Sequence, residues 1–325
     1  MVVKNESKII ERCLNSIEGI IDCYVIVDTG STDNTIEKIK SSLINIPGEI
    51  FQRPWINFGF NRSEALKLAK GKSDYSLLMD ADEIIENNNF NKENLIADAY
   101  YLRYLGNNDY AKIRIINNKF SWVFLGVTHE YINCKEAKNI QELSELKIID
   151  YKDGGSKSDK YERDIKLLQQ GIIDEPKNDR YHFYLANSYR DIGNYEKAIE
   201  YYLKRAKMCG WEEEVYQSIF QLGYCNEQLG KLKEAKYYYL QAFEFRPTRA
   251  ESLYYLANLC RKKQEYQQAY MFSKKGLEIS YPKDILFIDR RVYDYLLLWE
   301  KSIAAYWLGN YSEAIDKLES TQDKW

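Results

Sequence analysis

The sequence contains no uncharged apolar run that approaches the roughly 18 residues of a membrane-spanning helix. Its N-terminus carries Lys4, Glu6, Lys8 and Glu11 close together, so it has no signal-peptide core. Neither sign of charge is in large excess, because the net charge is -3 and the pI is near 5.7. There is therefore no general attraction to nucleic acid or to anionic lipid. These absences predict a cytoplasmic protein with no membrane span and no nucleic-acid partner.

The cysteines also lack the spacing of a disulfide framework or of a zinc site. The six cysteines are scattered, and no Cys-x-x-Cys pair occurs. Most of them stand among apolar neighbours, so buried free thiols are expected rather than disulfides or a zinc site.

The first half of the chain has the pattern of a sheet covered by helices. Of the 325 residues, 45% are hydrophobic and 29% charged, which is enough for two folded domains. Apolar runs at 24–27, 49–51 and 75–79 predict strands, and helical periodicity predicts helices over 9–17, from about 34, and over 61–70. We expect an α/β domain over residues 1–155 with a Rossmann-like, mostly parallel sheet, whose ligands bind beyond the carboxyl ends of the strands.

The second half repeats itself. Gly193 is echoed by Gly230 after 37 residues (230 minus 193), and a small residue recurs in each predicted helix. A glycine between two helices followed by an alanine resembles tetratricopeptide repeats. A linker and connecting helix are expected over 156–179, and an all-α solenoid of about four helix pairs over 180–325. Its groove would recognise the acceptor or mediate homodimerisation.

Two aspartates follow the apolar run 75–79. In a strand ending there, Asp80 and Asp82 point the same way and offer hard oxygen ligands for Mg²⁺ or Mn²⁺. Glu83 adds a third negative charge. The alternatives are a solvated acidic loop, or the nucleophile motif of a haloacid-dehalogenase phosphatase, which the residues after Asp82 fit poorly.

Five motifs in order resemble the family 2 glycosyltransferases of the GT-A fold, in the subgroup that carries C-terminal tetratricopeptide repeats. They lie at residues 1–6, 12–14, 27–35, 61–66 and 79–83, and a His-Glu pair at 129–130 matches as well. In the family several strand residues precede the first motif, whereas here the strand starts at Met1. The resemblance implies transfer of a sugar, with inversion, from a UDP-sugar to an acceptor hydroxyl on a protein or glycan, assisted by Mn²⁺ or Mg²⁺.

The resemblance also implies roles for individual residues. Asp82 is the expected direct metal ligand, with Asp80 on the ribose or the metal and His129 on the metal or the diphosphate. Asn5 and Glu6, in the first motif, are assigned to donor binding.

Three further residues are assigned to the donor, each with an alternative. Asp28 would accept hydrogen bonds from the base or ribose, or would be a turn carboxylate. Asp33 would contact the donor or cap a helix. Arg62 would reach the base or the phosphates, or would be a surface ion-pair partner.

An inverting transfer needs a general base, for which Glu130 and Glu83 are the candidates. Lys157, in a Gly-rich stretch, would clamp phosphate or belong to a simple linker. The competing function is a repeat scaffold whose first domain binds nucleotide but is inactive.

Overall fold

A computed structural model describes residues 1–105, 110–154 and 160–315 of the chain. It contains two compact units, Met1–Leu167 and Leu168–Trp325. The predicted linker region 156–179 spans this division. All six cysteines lie in the described part and are free thiols, as predicted, but the expected burial holds for three of them only, namely Cys13, Cys225 and Cys260. Among the described residues, no helix combines the length and the apolar character that a membrane crossing requires.

The first unit begins with a parallel sheet of three strands in the order β1, β2, β3. Val2 of β1 pairs with Val27 of β2, and Tyr24 of β2 pairs with Gly48 of β3. These strands and the first helix confirm the predicted βα units, because the apolar face of that helix is buried in the core. The elements are β1 (Val2–Val3), α1 (Ile10–Ile17), β2 (Tyr24–Asp28), α2 (Thr35–Ser42) and β3 (Gly48–Gln52).

A second sheet of five strands follows, in the order β4, β7, β6, β10, β5. Only β6 and β10 run parallel; the other neighbouring strands are antiparallel. A short antiparallel pair, β8 and β9, completes the unit. The elements are α3 (Phe58–Ala69), β4 (Tyr75–Leu77), β5 (Glu83–Asn87), β6 (Ala99–Leu105), β7 (Tyr110–Asn117), β8 (Val123–Leu125), β9 (Tyr131–Asn133) and β10 (Ile140–Asp150), with a 3₁₀ turn at Lys92–Asn94.

The prediction of a mostly parallel sheet holds for the first sheet only. The strand predicted over 75–79 is present but shorter, and its expected parallel direction is wrong. Strand β4 ends at Leu77 and pairs antiparallel with β7, with Leu77 opposite Ile115. Strand β1 has two residues and pairs with β2. Among the described residues it has no pairing with β4, so the two sheets remain separate. A cavity of about 960 Å³ is lined by residues of β2 and β4. The apolar composition of residues 75–79 predicted a strand, but it did not predict that the strand would pair with β7.

The second unit confirms the predicted repeats. Helix α4 (Lys160–Asp174) leads into consecutive helix pairs. They are α5 (Asp179–Asp191) with α6 (Tyr195–Ala206), α7 (Glu212–Gln228) with α8 (Leu232–Phe245), α9 (Glu251–Lys262) with α10 (Tyr266–Leu277), and α11 (Leu297–Trp307), preceded by a π turn at Val292–Leu296, with α12 (Tyr311–Ile315).

Left-handed residues end the first helix of each pair. Gly193, Gly230 and Gly309 have φ values of 77°, 71° and 81° at these turns, a conformation that glycine adopts without steric cost. The third pair has Gln264 at this point, with φ 61°. The glycines predicted between the two helices of a pair therefore provide a left-handed backbone conformation. The third repeat adopts the same conformation without glycine.

Candidate active site

The loops that follow β1 and β2 are joined by hydrogen bonds. Asn5 Oδ1 accepts a bond from Thr32 N at 2.7 Å, and Asn5 N donates to Ser31 Oγ at 2.9 Å. Glu6 N donates to Thr35 Oγ1 at 2.8 Å. Asn5 has φ 55°, which asparagine tolerates better than most residues. The two residues predicted to bind the donor thus lie at the carboxyl edge of the parallel strands, where ligands of such sheets bind.

Asp28 ends β2 and is 1% exposed. Its carboxylate accepts hydrogen bonds from Gly30 N at 3.2 Å and from Ser31 N at 3.1 Å. These contacts are those of a turn carboxylate, the alternative considered for this residue. Asp28 therefore shapes the loop, whatever else it contacts.

Asp33 holds the start of α2. Its carboxylate accepts bonds from Ser7 N at 3.2 Å and from Thr35 N at 3.1 Å, and also from the Thr35 hydroxyl. Partial burial acts to raise its pKa, but the hydrogen bonds from Ser7 and Thr35 outweigh it and lower the pKa to about 2. Asp33 thus contacts the first residue of α2, in line with the capping alternative, although the N-cap position itself is Asn34.

A chain of alternating charges lies at the centre of the site, and we call it the charge chain: Glu130, Arg62, Asp80, Arg114 and Glu83. Arg62 bonds to Glu130 Oε1 at 2.7 Å and to Asp80 Oδ1 at 2.5 Å. Arg114 lies 3.3 Å from Asp80 Oδ2 and also forms an ion pair with Glu83. Burial acts to raise the pKa of Asp80, but the two guanidinium groups prevail and lower it. Asp80 is therefore held ionised between two arginines.

Helix α3 places Arg62 beside Glu130. A Cβ on Gly59 would overlap the carbonyl oxygen of Gly126, so the helix approaches the loop after β8 more closely than any larger residue allows. One turn later, Ser63 Oγ accepts a bond from Phe124 N at 2.8 Å. Gly59 and Ser63 thus fix the helix face from which Arg62 reaches Glu130.

Glu83 is enclosed at the other end of the charge chain. It is 3% exposed, and its carboxylate accepts bonds from Asp80 N at 2.9 Å and from the Tyr104 hydroxyl at 2.8 Å, in addition to Arg114. Burial raises its pKa in spite of Arg114. The prediction of Glu83 as a general base is not supported, because these bonds occupy both oxygens and no acceptor reaches a group so buried.

Asp82 differs from its neighbours because it has no ion-pair partner within the described ranges. It is half-buried, and burial together with Asp80 and Asp150 raises its pKa. A Cβ on Gly154 would lie 3.2 Å from Asp82 Oδ2, so the segment after β10 packs directly against this carboxylate. Lys157, three residues further on, lies outside the described residues.

Asp80, Asp82 and His129, the predicted metal ligands, do not come together as a three-residue cluster in the described part of the chain. The described residues contain no group of three or more His, Cys, Asp or Glu side chains that could hold a metal ion. Both oxygens of Asp80 face arginines, which removes it as a direct ligand in this arrangement. Asp82 fits a cation, because its negative charge is not neutralised, and a magnesium-type ion needs only one or two carboxylates when substrate phosphates supply further ligands.

Sequence reasoning missed Arg114 and Tyr104, which complete the charge chain. Arg114 is 5% exposed and its Nε donates to the Tyr104 hydroxyl at 2.7 Å. A signal was present, because Arg114 interrupts the apolar run Ile113, Ile115, Ile116 in a strand. An arginine inside such a run is rarely buried without carboxylate partners.

Comparison with known proteins finds matches to both regions of the chain. The family model "Glycosyl transferase family 2" matches residues 1–115, and two tetratricopeptide repeat models match residues 184–216 and 216–249. The SPbeta prophage-derived glycosyltransferase SunS of Bacillus subtilis is 26% identical over 225 residues, covering 63% of this chain and 51% of that protein. The chain thus spans about half the length of this curated relative.

Two other similarities are more limited. An uncharacterized glycosyltransferase of Rickettsia bellii is 34% identical over 83 residues, which is 26% of each chain. MamA, known from a crystal structure, is 16% identical over a region that covers 51% of this chain and 92% of that one, with a TM-score of 0.39. The matched ranges show that the chain contains a family 2 glycosyltransferase domain followed by tetratricopeptide repeats.

Proposed function

We propose that the chain transfers a sugar from a UDP-sugar to an acceptor hydroxyl, with inversion at the anomeric carbon and with the help of Mn²⁺ or Mg²⁺. The family 2 match over residues 1–115 supports the reaction class. The observation that carries the proposal is the Asp82 carboxylate beside Asp80 of the charge chain, in which three carboxylates outnumber two arginines. This excess of negative charge favours a divalent cation, which would in turn neutralise a departing diphosphate.

The donor is proposed to bind across the loops after β1 and β2. Asn5, Glu6, Asp28 and Asp33 build this edge, and their hydrogen bonds fix the loops before any ligand arrives. A preorganised loop costs little reorganisation when the nucleotide binds. Asp82 is the residue proposed to hold the cation, which would neutralise negative charge developing on the diphosphate.

Glu130 is the proposed general base. In the reaction the acceptor oxygen forms a bond to the anomeric carbon, the bond from that carbon to the diphosphate breaks, and the acceptor proton passes to Glu130. Arg62 holds the Glu130 carboxylate at 2.7 Å and fixes its direction. Its charge also lies close to Asp80, where it is placed to attract the donor's phosphates.

The test uses the variant Asp82→Asn and the control Asp22→Asn, which changes a carboxylate that is 73% exposed and pairs with Lys92. UDP release from a panel of UDP-sugars with Mn²⁺ should fall at least 100-fold for Asp82→Asn and stay unchanged for the control. Calorimetric titration with UDP should show metal-dependent binding to the unmodified protein and to the control, and not to Asp82→Asn. Equal release by both variants contradicts the proposal. Absence of UDP binding by the unmodified protein favours the repeat scaffold instead.

The repeats are proposed to bind a protein or glycan acceptor. Homodimerisation through residues 180–320 remains the other prediction for them. Sedimentation of the full chain separates the two, because a dimer sediments with twice the mass over a range of concentrations.

A further inference from the structure

A segment of the second unit that is neither helix nor strand lies against the helix pairs. Residues 284–289, which we call the strap, belong to the connection between α10 and the π turn. Glu213 of α7 accepts hydrogen bonds on Oε2 from the main-chain nitrogens of Ile285, at 2.9 Å, and Leu286, at 2.8 Å. A single carboxylate thus holds two successive amides of the strap.

The main-chain carbonyls of the strap are held as well. Gln217 Nε2 donates to the carbonyl oxygens of Leu286 at 3.4 Å and Phe287 at 3.2 Å. Arg249 donates to the same two oxygens, at 3.1 Å each. Gln217 is 2% exposed and Arg249 is fully buried, so both donors are shielded from water while the strap is in place. Main-chain groups are common to all peptides, so this bonding does not depend on the identity of the bound residues.

Two side chains of the strap add specificity. Asp284 accepts two bonds from Arg246 at 2.7 Å each and one from Arg249 at 3.2 Å. Phe287 stacks on Phe183 of α5, with ring centroids 6.2 Å apart and planes at 23°. The surface therefore recognises a carboxylate and, three residues later, an aromatic ring. We call it the repeat surface: Phe183, Glu213, Gln217, Arg246 and Arg249.

The strap fits this surface imperfectly. Phe287 has φ 47°, a strained conformation for a bulky side chain, and it is 58% exposed in spite of its ring contact. Ile285 is 80% exposed. A cavity of about 170 Å³ beside Phe287 is lined by Gln221 and Tyr255 among others, so the surface continues beyond the strap. A ligand without the strain at Phe287 would use the same groups and more of this space.

We propose that the repeat surface is a peptide-binding site in which the strap is a resident, displaceable ligand. The partner is a peptide with an acidic residue three positions before an aromatic residue, and it competes with the strap for the same groups. Because the strap is tethered, its effective concentration at the site is on the order of millimolar, and an external peptide must overcome it. The inference is independent of the glycosyl transfer proposed above.

The test measures binding of a labelled peptide with the sequence of residues 283–289 by fluorescence anisotropy. The full chain with Asp284→Asn and Phe287→Ala, which removes the two side-chain contacts of the strap and changes no residue of the repeat surface, should bind this peptide at least tenfold more tightly than the unmodified chain. Adding Gln217→Ala to that variant should reverse the gain. The control Asp294→Asn alters an exposed carboxylate that pairs with Arg290 and should leave affinity unchanged. Equal affinity of the weakened and unmodified chains, or a gain that survives Gln217→Ala, overturns the proposal.

A second measurement needs no variant. In the unmodified chain, the amides of Ile285 and Leu286 should exchange hydrogen at least tenfold faster than the slowest amides of α7 and α9, because the strap opens without unfolding the helices. Excess peptide should accelerate their exchange by holding the surface after the strap leaves. If these two amides exchange only together with α7 and α9, the strap is an integral part of the unit and the proposal fails.

Discussion

Arg114 offers the sharpest test of the charge chain. The substitution Arg114→Met keeps a long flexible side chain but removes the guanidinium that contacts Glu83, Asp80 and the Tyr104 hydroxyl. The Arg114 side chain is 6% exposed and that of Glu83 is 4% exposed, so water replaces little of what is lost. Asp80 keeps Arg62 as a partner, whereas Glu83 loses its only ion pair in the described part of the chain.

The loss of the Glu83 ion pair determines how much stability Arg114→Met should cost. Removing one partner of a buried ion pair leaves an uncompensated buried charge and costs about 3–5 kcal/mol. The pKa of Glu83 is already raised by burial, so the variant neutralises this carboxyl by taking up a proton as the pH falls. A group whose pKa is raised on folding favours the folded state below that pKa. The loss caused by Arg114→Met should therefore be smaller near pH 5 than near pH 8.

Amide hydrogen exchange of β6 and β7 in the full chain measures the free energy of unfolding of the first unit. The matched control is Arg103→Met on β6, because Arg103 pairs with Glu142 and both side chains are 46% exposed. Such a surface pair contributes less than about 1 kcal/mol. The double variant Arg114→Met with Glu83→Gln should recover part of the loss. If Arg114→Met costs no more than Arg103→Met, the charge chain does not stabilise the unit and the reasoning is refuted.

Three further predictions concern backbone and capping. Gly59→Ala should cost about 1–3 kcal/mol by overlap with the Gly126 carbonyl, whereas Gly19→Ala, with nothing within 4 Å of its Cβ, should be tolerated in the same thermal melts. Asp33, with a pKa near 2 against an ordinary 3.8, should contribute about 1 kcal/mol above pH 4, discounted for exposure, and lose it as the pH falls through 2. Urea titrations of Asp33→Asn should lack this acid-dependent change. Gln264→Gly should raise the free energy of unfolding measured in urea by about 1 kcal/mol, because glycine adopts a φ of 61° without steric strain. An unchanged or lower free energy of unfolding would show that Gln264 is not strained.

The sequence determined the features whose causes are local. Strands β2 and β3, helix α1 and the helix pairs follow from short-range periodicity and from glycine at the turns, which act within a few residues. The capping alternative for Asp33 was visible for the same reason, since its partners include Thr35, two residues away. Motif order was likewise sufficient to indicate a family 2 glycosyltransferase domain with repeats.

Only the tertiary structure decided which groups of opposite charge meet and which strands pair. Asp80 and Arg114 are 34 residues apart, and the antiparallel pairing of β4 with β7 brings their strands together. That contact engages the Asp80 carboxylate with arginines and leaves Asp82 as a half-buried carboxylate with no ion pair among the described residues. The strap is equally remote, with Glu213 holding Leu286 across 73 residues. Such contacts depend on the packing of whole elements, which no local pattern of residues encodes.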